Sequence, residues 1–198
     1  MSTYPIYLRP ELAPIIAETP EQTTWDLPAM RAGGDALLAN PHEANNRVEV
    51  TARGRTFIPV DLAEDAPLII SIHGGGYVAG RAAFDDAKND ELATRFGAII
   101  VSPEYRLAPE FPFPIPVDDC ISALAEALER FGHERPTFIL GDSAGAGLAY
   151  SMVSRLCGLG LQMAQDEAIA ARYKRIASVI RGIILLEPCV DPTLSTPS

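Results

Sequence analysis

The chain is short of the residues on which several classes of function depend. Its three cysteines, Cys120, Cys157 and Cys189, are odd in number, far apart and outside any CxxC pair, which speaks against both a disulfide framework and a zinc site. A reducing compartment, hence the cytoplasm, is the expectation. Positive charge is also scarce: 16 Lys and Arg face 26 Asp and Glu, for a formal net charge of −10. Such a surface repels phosphate backbones and anionic membranes, so nucleic acid is not an expected partner. No apolar run approaches the roughly 20 residues of a membrane span, and residues 1–14 lack an uninterrupted apolar stretch of the signal-peptide kind. Neither a span nor a secretory signal is therefore expected. Internal repeats and low-complexity tracts are missing. Histidine occurs only as His42, His73 and His133.

What is present is the composition of a globular protein, with 47% hydrophobic and 21% charged residues in 198, enough for one domain or slightly more and for a real core. Residues 1–46 are rich in Pro, Ala and acidic groups, with helical stretches around 12–18 and 25–38. They read as an N-terminal cap or lead-in, and residues 47–198 as the main body. Val48 and Val50, then Phe57, Ile58 and Val60, mark two strands joined near residues 52–54. Leu68 to Ile72 is a short continuous apolar run, as expected of a strand covered on both faces. A helix over 85–96 follows, acidic in its first turn and stopped by Gly97. Then comes a strand over 98–102.

Beyond a Pro-rich stretch, Val117, Ile121, Leu124, Leu128 and Phe131 recur at helical spacing, with Pro116 in the first turn and Gly132 at the end. Strand 137–140, helix 143–156, helix 162–177 and strand 179–186 complete the alternation. Strands alternating with helices of this length imply a three-layer α/β sandwich with a mostly parallel central sheet and right-handed crossovers.

Gly141-Asp142-Ser143-Ala144-Gly145 falls between a predicted strand and a predicted helix. By letters alone GxSxG recurs by chance in about one chain in fifteen of this length. Placed on a sharp strand-to-helix turn, however, it lifts a serine hydroxyl clear of the sheet, and the two glycines relieve contacts that a Cβ would make. A close-packed helix start built from small residues is the competing reading. Upstream, His73-Gly74-Gly75-Gly76 ends the strand Leu68–Ile72. Three successive glycines leave backbone N–H groups free to converge on an oxyanion, with Gly74, Gly75 and Ala144 as candidate donors and the helix beginning at Ser143 adding its positive end. A phosphate cradle is the alternative, but Gly-Lys-Ser, Gly-Lys-Thr and GxGxxG are all absent.

Together with Tyr105-Arg106-Leu107-Ala108-Pro109-Glu110, these two motifs, in this order and at these spacings, resemble the hormone-sensitive-lipase group of α/β-hydrolase esterases, also called the fold-3 group. The resemblance covers about residues 47–198. It implies an α/β-hydrolase fold and hydrolysis of a small-molecule carboxylic ester. Ser143 would be the nucleophile, Gly74, Gly75 and Ala144 the oxyanion hole, and residues 105–110 a structural signature near the active-site face. No metal or organic cofactor is implied. The chain departs from the pattern at Ala146-Gly147, where the family usually has Gly-Asn, a change that bears on the helix start and not on the nucleophile.

Hydrolases of this fold take their acid and then their histidine from beyond the serine, and no histidine follows Ser143. His133 enters the strand that carries Ser143 from its far end, about 15 Å or more away, and is excluded. His42 reads as a solvated loop residue, although a base role stays open for it. His73 reads as a brace for the glycine loop, again with a base role open. Asp191 could hold an acid's position, but it has no histidine to orient. The expectation is a C-terminally incomplete fold, which two further strand–helix units of about 30 residues each would complete, supplying both groups. Residues 183–190 point the same way, because a long apolar strand at a sheet edge invites aggregation. Two other readings stay open: a non-catalytic small-ligand binder on a hydrolase fold, as in gibberellin receptors that resemble this family, and a hydrolase completed by a second chain. The oligomeric state and the acyl preference are not legible.

Overall fold

The structure, a computed structural model, describes residues 26–36, 38, 42–158 and 167–188. The expected helix 12–18, residues 162–166 of the expected helix 162–177, Cys189 and Asp191 lie outside the described residues. Helix α1 spans Leu27–Ala36, and its first turn is capped by Asp26, whose carboxylate accepts from Ala29 N–H at 3.0 Å. A hairpin follows, with β1 (Arg47–Thr51) antiparallel to β2 (Gly54–Ile58). Gly54 turns it at a φ of 138°, where a Cβ would lie 2.2 Å from the Ser102 carbonyl. Glycine is required there.

Strand β3 (Leu68–Ile72) carries the predicted apolar run. A 3₁₀ turn over Ala82–Asp85 then leads into α2 (Asp86–Phe96), which ends at Gly97 in the left-handed conformation. Next come β4 (Ile99–Pro103), α3 (Ile115–Phe131), β5 (Thr137–Asp142), α4 (Ala144–Leu156), α5 (Glu167–Val179) and β6 (Ile180–Leu186). The sheet order is β1-β2-β4-β3-β5-β6. The hairpin joins antiparallel through β2 and β4, while β4/β3, β3/β5 and β5/β6 are parallel. This is the mostly parallel three-layer sandwich that the alternation of elements implied.

Two apolar layers hold it. On one face Leu68, Ile70 and Ile72 of β3 and Ile139 of β5 meet Val117, Ile121, Leu124 and Leu128 of α3, Leu148, Met152 and Leu156 of α4, and Ile176 and Val179 of α5. On the other, Phe57, Ala98 and Ile100 receive Ala93 of α2. Burying each Leu or Ile in this way contributes about 1.5–3 kcal/mol. At the sheet's outer edge among the described residues, β6 leaves Ile183, Ile184 and Leu186 substantially exposed. No described helix is long and apolar enough to cross a membrane.

One contact goes beyond the sequence expectation. His42 is an exposed loop residue, as read, but its Nε2 lies 3.0 Å from Asp90 Oδ2 on α2. The same carboxylate, 1% exposed, accepts from the backbone N–H and side-chain amide of both Asn45 and Asn46. A buried carboxylate needs this many donors. Burial alone would push the Asp90 carboxyl up, but the bonds from Asn45, His42 and Asn46 outweigh it and hold the group well below the usual carboxylate range. The segment entering β1 is thereby pinned to α2.

Candidate active site

The four parallel strands β4, β3, β5 and β6 end at one edge of the sheet, and the predicted chemistry collects there beside β3 and β5. Between the last residue of β5 and the first of α4, Ser143 adopts φ 52° and ψ −116°, a conformation that costs a non-glycine residue on the order of 1–3 kcal/mol. The surroundings enforce it. Ser143 N–H donates to Leu186 O at 2.8 Å, and Ser143 O accepts from Ala146 N–H at 3.0 Å and Gly147 N–H at 3.2 Å. The flanking glycines are spatial necessities. A Cβ on Gly141 would lie 2.3 Å from Gly145 O, and one on Gly145 would lie 2.1 Å from Ile72 O. The competing reading, a helix start merely packed with small residues, does not account for the strained serine between them.

The glycine loop folds onto this turn. A Cβ built on Gly74 would stand 3.1 Å from Asp142 O and 3.4 Å from Ser143 Cβ, so the loop backbone lies against the serine. Gly75 turns away at a φ of 122°, where a side chain would strike Ala79 O at 2.1 Å, and Gly76 and Tyr77 continue at positive φ. The carbonyl of Gly75 accepts from Val78 and Ala79 N–H. Among the described residues, the N–H groups of Gly74, Gly75 and Ala144 have no backbone acceptor. Ala144 opens α4, where the first N–H groups of a helix lack intrahelical partners and carry its positive end.

His73 is 1% exposed. Its Nδ1 lies 2.7 Å from Gly74 O, and its ring stacks on Tyr105 with centroids 4.1 Å apart at 13°. Desolvation lowers its pKa, more than the Gly74 contact raises it. A buried, neutral imidazole bonded to the loop's own carbonyl is a brace, and its Nδ1 is unavailable as a base toward Ser143. His133 is exposed in the turn before β5, at the opposite end of the strand from Ser143, as expected. Among the described residues, no histidine or carboxylate hydrogen-bonds the Ser143 hydroxyl.

Sequence reasoning missed two groups near this edge. Arg31 of α1 donates from Nε to Val78 O at 2.8 Å and from Nη2 to Ala108 O at 3.0 Å, and it grips the Glu110 carboxylate with both terminal nitrogens. The Arg31 side-chain bond lowers the Glu110 pKa to about 2. The Tyr105 hydroxyl was the other. It sat inside a recognised motif, but nothing local showed that it reaches back 32 residues to His73 O.

A strained serine on a strand-to-helix turn, with a glycine loop against it on a mostly parallel sheet, defines a class. Residues 69–198 match the family described as the alpha/beta hydrolase fold, and the chain belongs to that family. Several of its relatives carry esterase or lipase names. The chain is 38% identical over 107 residues to a versiconal hemiacetal acetate esterase from Emericella nidulans, a match covering 54% of this chain and 37% of that one. It is 30% identical over 139 residues to hormone-sensitive lipase from Homo sapiens, covering 66% and 13%. Among solved structures, a hormone-sensitive lipase from a metagenome library superposes with a TM-score of 0.70 at 31% identity, covering 94% of this chain and 58% of that one. The chain thus spans less than two thirds of the length of each of these relatives. The hormone-sensitive-lipase resemblance drawn from the three motifs agrees with these matches.

Proposed function

We propose that this chain carries the nucleophile and the oxyanion site of a carboxylic ester hydrolase. Ser143 Oγ attacks the ester carbonyl carbon, and the carbonyl oxygen takes up the negative charge. The N–H groups of Gly74, Gly75 and Ala144 receive that charge, a contribution of about 10²–10³ in rate per donor in enzymes of this kind. Collapse of the intermediate expels the alcohol and leaves the acyl group on Ser143, from which water releases the carboxylic acid. The observation that carries this reading is the Ser143 backbone, held at φ 52° with Gly74 packed against it. The substrate is a small-molecule ester, in keeping with the esterase and lipase names of several relatives. Residues 1–46 are assigned as an N-terminal cap or lead-in to residues 47–198, and the contacts of Arg31 with Val78, Ala108 and Glu110 support that assignment. The dispersed cysteines fit a cytoplasmic setting.

The hydroxyl proton needs an acceptor that the described residues do not place at Ser143. That observation favours a second reading, a ligand-binding protein that keeps the hydrolase pocket without turnover. p-Nitrophenyl butyrate separates the two. Release of p-nitrophenol that disappears in Ser143→Ala supports the hydrolase. Saturable binding of short esters without release supports the binder, and release unaffected by Ser143→Ala contradicts the nucleophile assignment.

A further inference from the structure

Two carbonyls of the glycine loop face the same buried phenol. Tyr105 Oη donates to His73 O at 2.9 Å and lies 3.5 Å from Gly74 O. Gly74 O is also met by His73 Nδ1 at 2.7 Å. A carbonyl only accepts, so Nδ1 is the protonated ring nitrogen. The imidazole that makes this bond is itself held by the Tyr105 ring stacked on it.

In a trans peptide the C=O of one residue and the N–H of the next point in opposite directions within one plane. Fixing the His73 carbonyl therefore aims the Gly74 N–H, and fixing the Gly74 carbonyl aims the Gly75 N–H. These are two of the three donors assigned above to the oxyanion. Neither peptide lies within a strand, because β3 ends at Ile72. The residues that follow, Gly75, Gly76 and Tyr77, all run at positive φ, so no ladder hydrogen bonds hold this stretch in register.

We propose that Tyr105 is a positioning residue for the oxyanion site. Its hydroxyl orients the 73–74 peptide, and its ring, through the stacked His73 imidazole, orients the 74–75 peptide. This rests on the oxyanion-site reading above. The phenol is well suited to this role, being 2% exposed, and burial pushes its pKa far up, which keeps it a neutral donor. The Pro-rich motif that carries Tyr105 thereby acts on the reacting centre without touching substrate.

Tyr105→Phe keeps the stacked ring and removes only the donor. With a fluorophosphonate probe, the limiting rate constant for Ser143 phosphonylation is expected to fall about 10-fold or more, with half-saturation little changed, because the donors act on developing charge and not on ground-state binding. Tyr105→Leu, which also loses the stack, should fall further. In the same two proteins the Gly74 and Gly75 amide resonances should move and exchange faster with solvent. A Tyr105→Phe chain that labels at the wild-type limiting rate, while Ser143→Ala abolishes labelling, overturns the proposal. If wild-type labelling is absent or independent of Ser143, the nucleophile reading fails on its own, and the amides decide. Resonances that shift in Tyr105→Phe uphold the positioning role, and unchanged resonances overturn it.

Discussion

At Ser143 and at Asp90 the molecule treats polar groups in opposite ways. Asp90 is saturated: His42, Asn45 and Asn46 occupy its carboxylate from several directions, and the group is removed from solvent. Ser143 is left open. Its backbone is strained, its hydroxyl has no hydrogen-bond partner among the described residues, and the N–H groups beside it have no backbone acceptor. The first arrangement contributes stability and no reactivity. The second costs stability and leaves polar groups without partners among the described residues, which is the usual signature of a functional site in a sequence otherwise consistent with its fold.

The sharpest way to break the contrast is at the glycine behind the serine. Gly145→Ala would place a Cβ 2.1 Å from Ile72 O and 2.5 Å from His73 O, both backbone atoms that cannot swing aside. Urea denaturation should show a loss of about 3 kcal/mol or more, together with loss of the Ser143 geometry. Unaltered stability would mean that the turn is looser than described.

At the other region, Asp90→Ala strands the donors of Asn45 and Asn46 and leaves His42 without its partner. The expected cost is about 3 kcal/mol, read as a lower urea midpoint. Where that variant remains folded, Ser143 phosphonylation should proceed at the wild-type rate. A drop in labelling at full folding would show that the two regions are coupled.

Acid should separate them further. Asp90 has a folded pKa depressed below its unfolded value of about 3.9. Its contribution is therefore complete above that pH and declines as pH falls below about 4 toward the folded value. Wild-type stability should drop through this window, and Asp90→Asn should flatten that part of the curve. The smallest effect belongs to Arg31→Ala. It removes an exposed pair with Glu110 and two bonds to loop carbonyls. Amide exchange within residues 27–36 should quicken, with the urea midpoint almost unmoved.

The legible parts of the fold were those set by local pattern. The apolar run 68–72, the spacing from Val117 to Phe131 and the stops at Gly97 and Gly132 each placed an element within a residue or two of its observed bounds. GxSxG was readable because steric demand is written into adjacent letters. What escaped depends on groups far apart in the chain. Asp90 meets residues 44 to 48 positions away, and Tyr105 reaches His73 across 32. No periodicity encodes such pairs. His42 is exposed, as its polar neighbours in sequence suggest, but nothing local shows that the fold turns those same polar groups onto one buried carboxylate. The order β2-β4-β3 likewise requires strand pairings that local sequence does not specify.

The central claim, that Ser143 is a nucleophile set against an oxyanion site, is tested most directly by treating the folded 198-residue chain with a fluorophosphonate and mapping the adduct by peptide mass spectrometry. A single phosphonyl group on Ser143, absent in Ser143→Ala and in urea-unfolded protein, is the expected result. Folded protein that gains no adduct at Ser143, or gains it equally when unfolded, would contradict the claim.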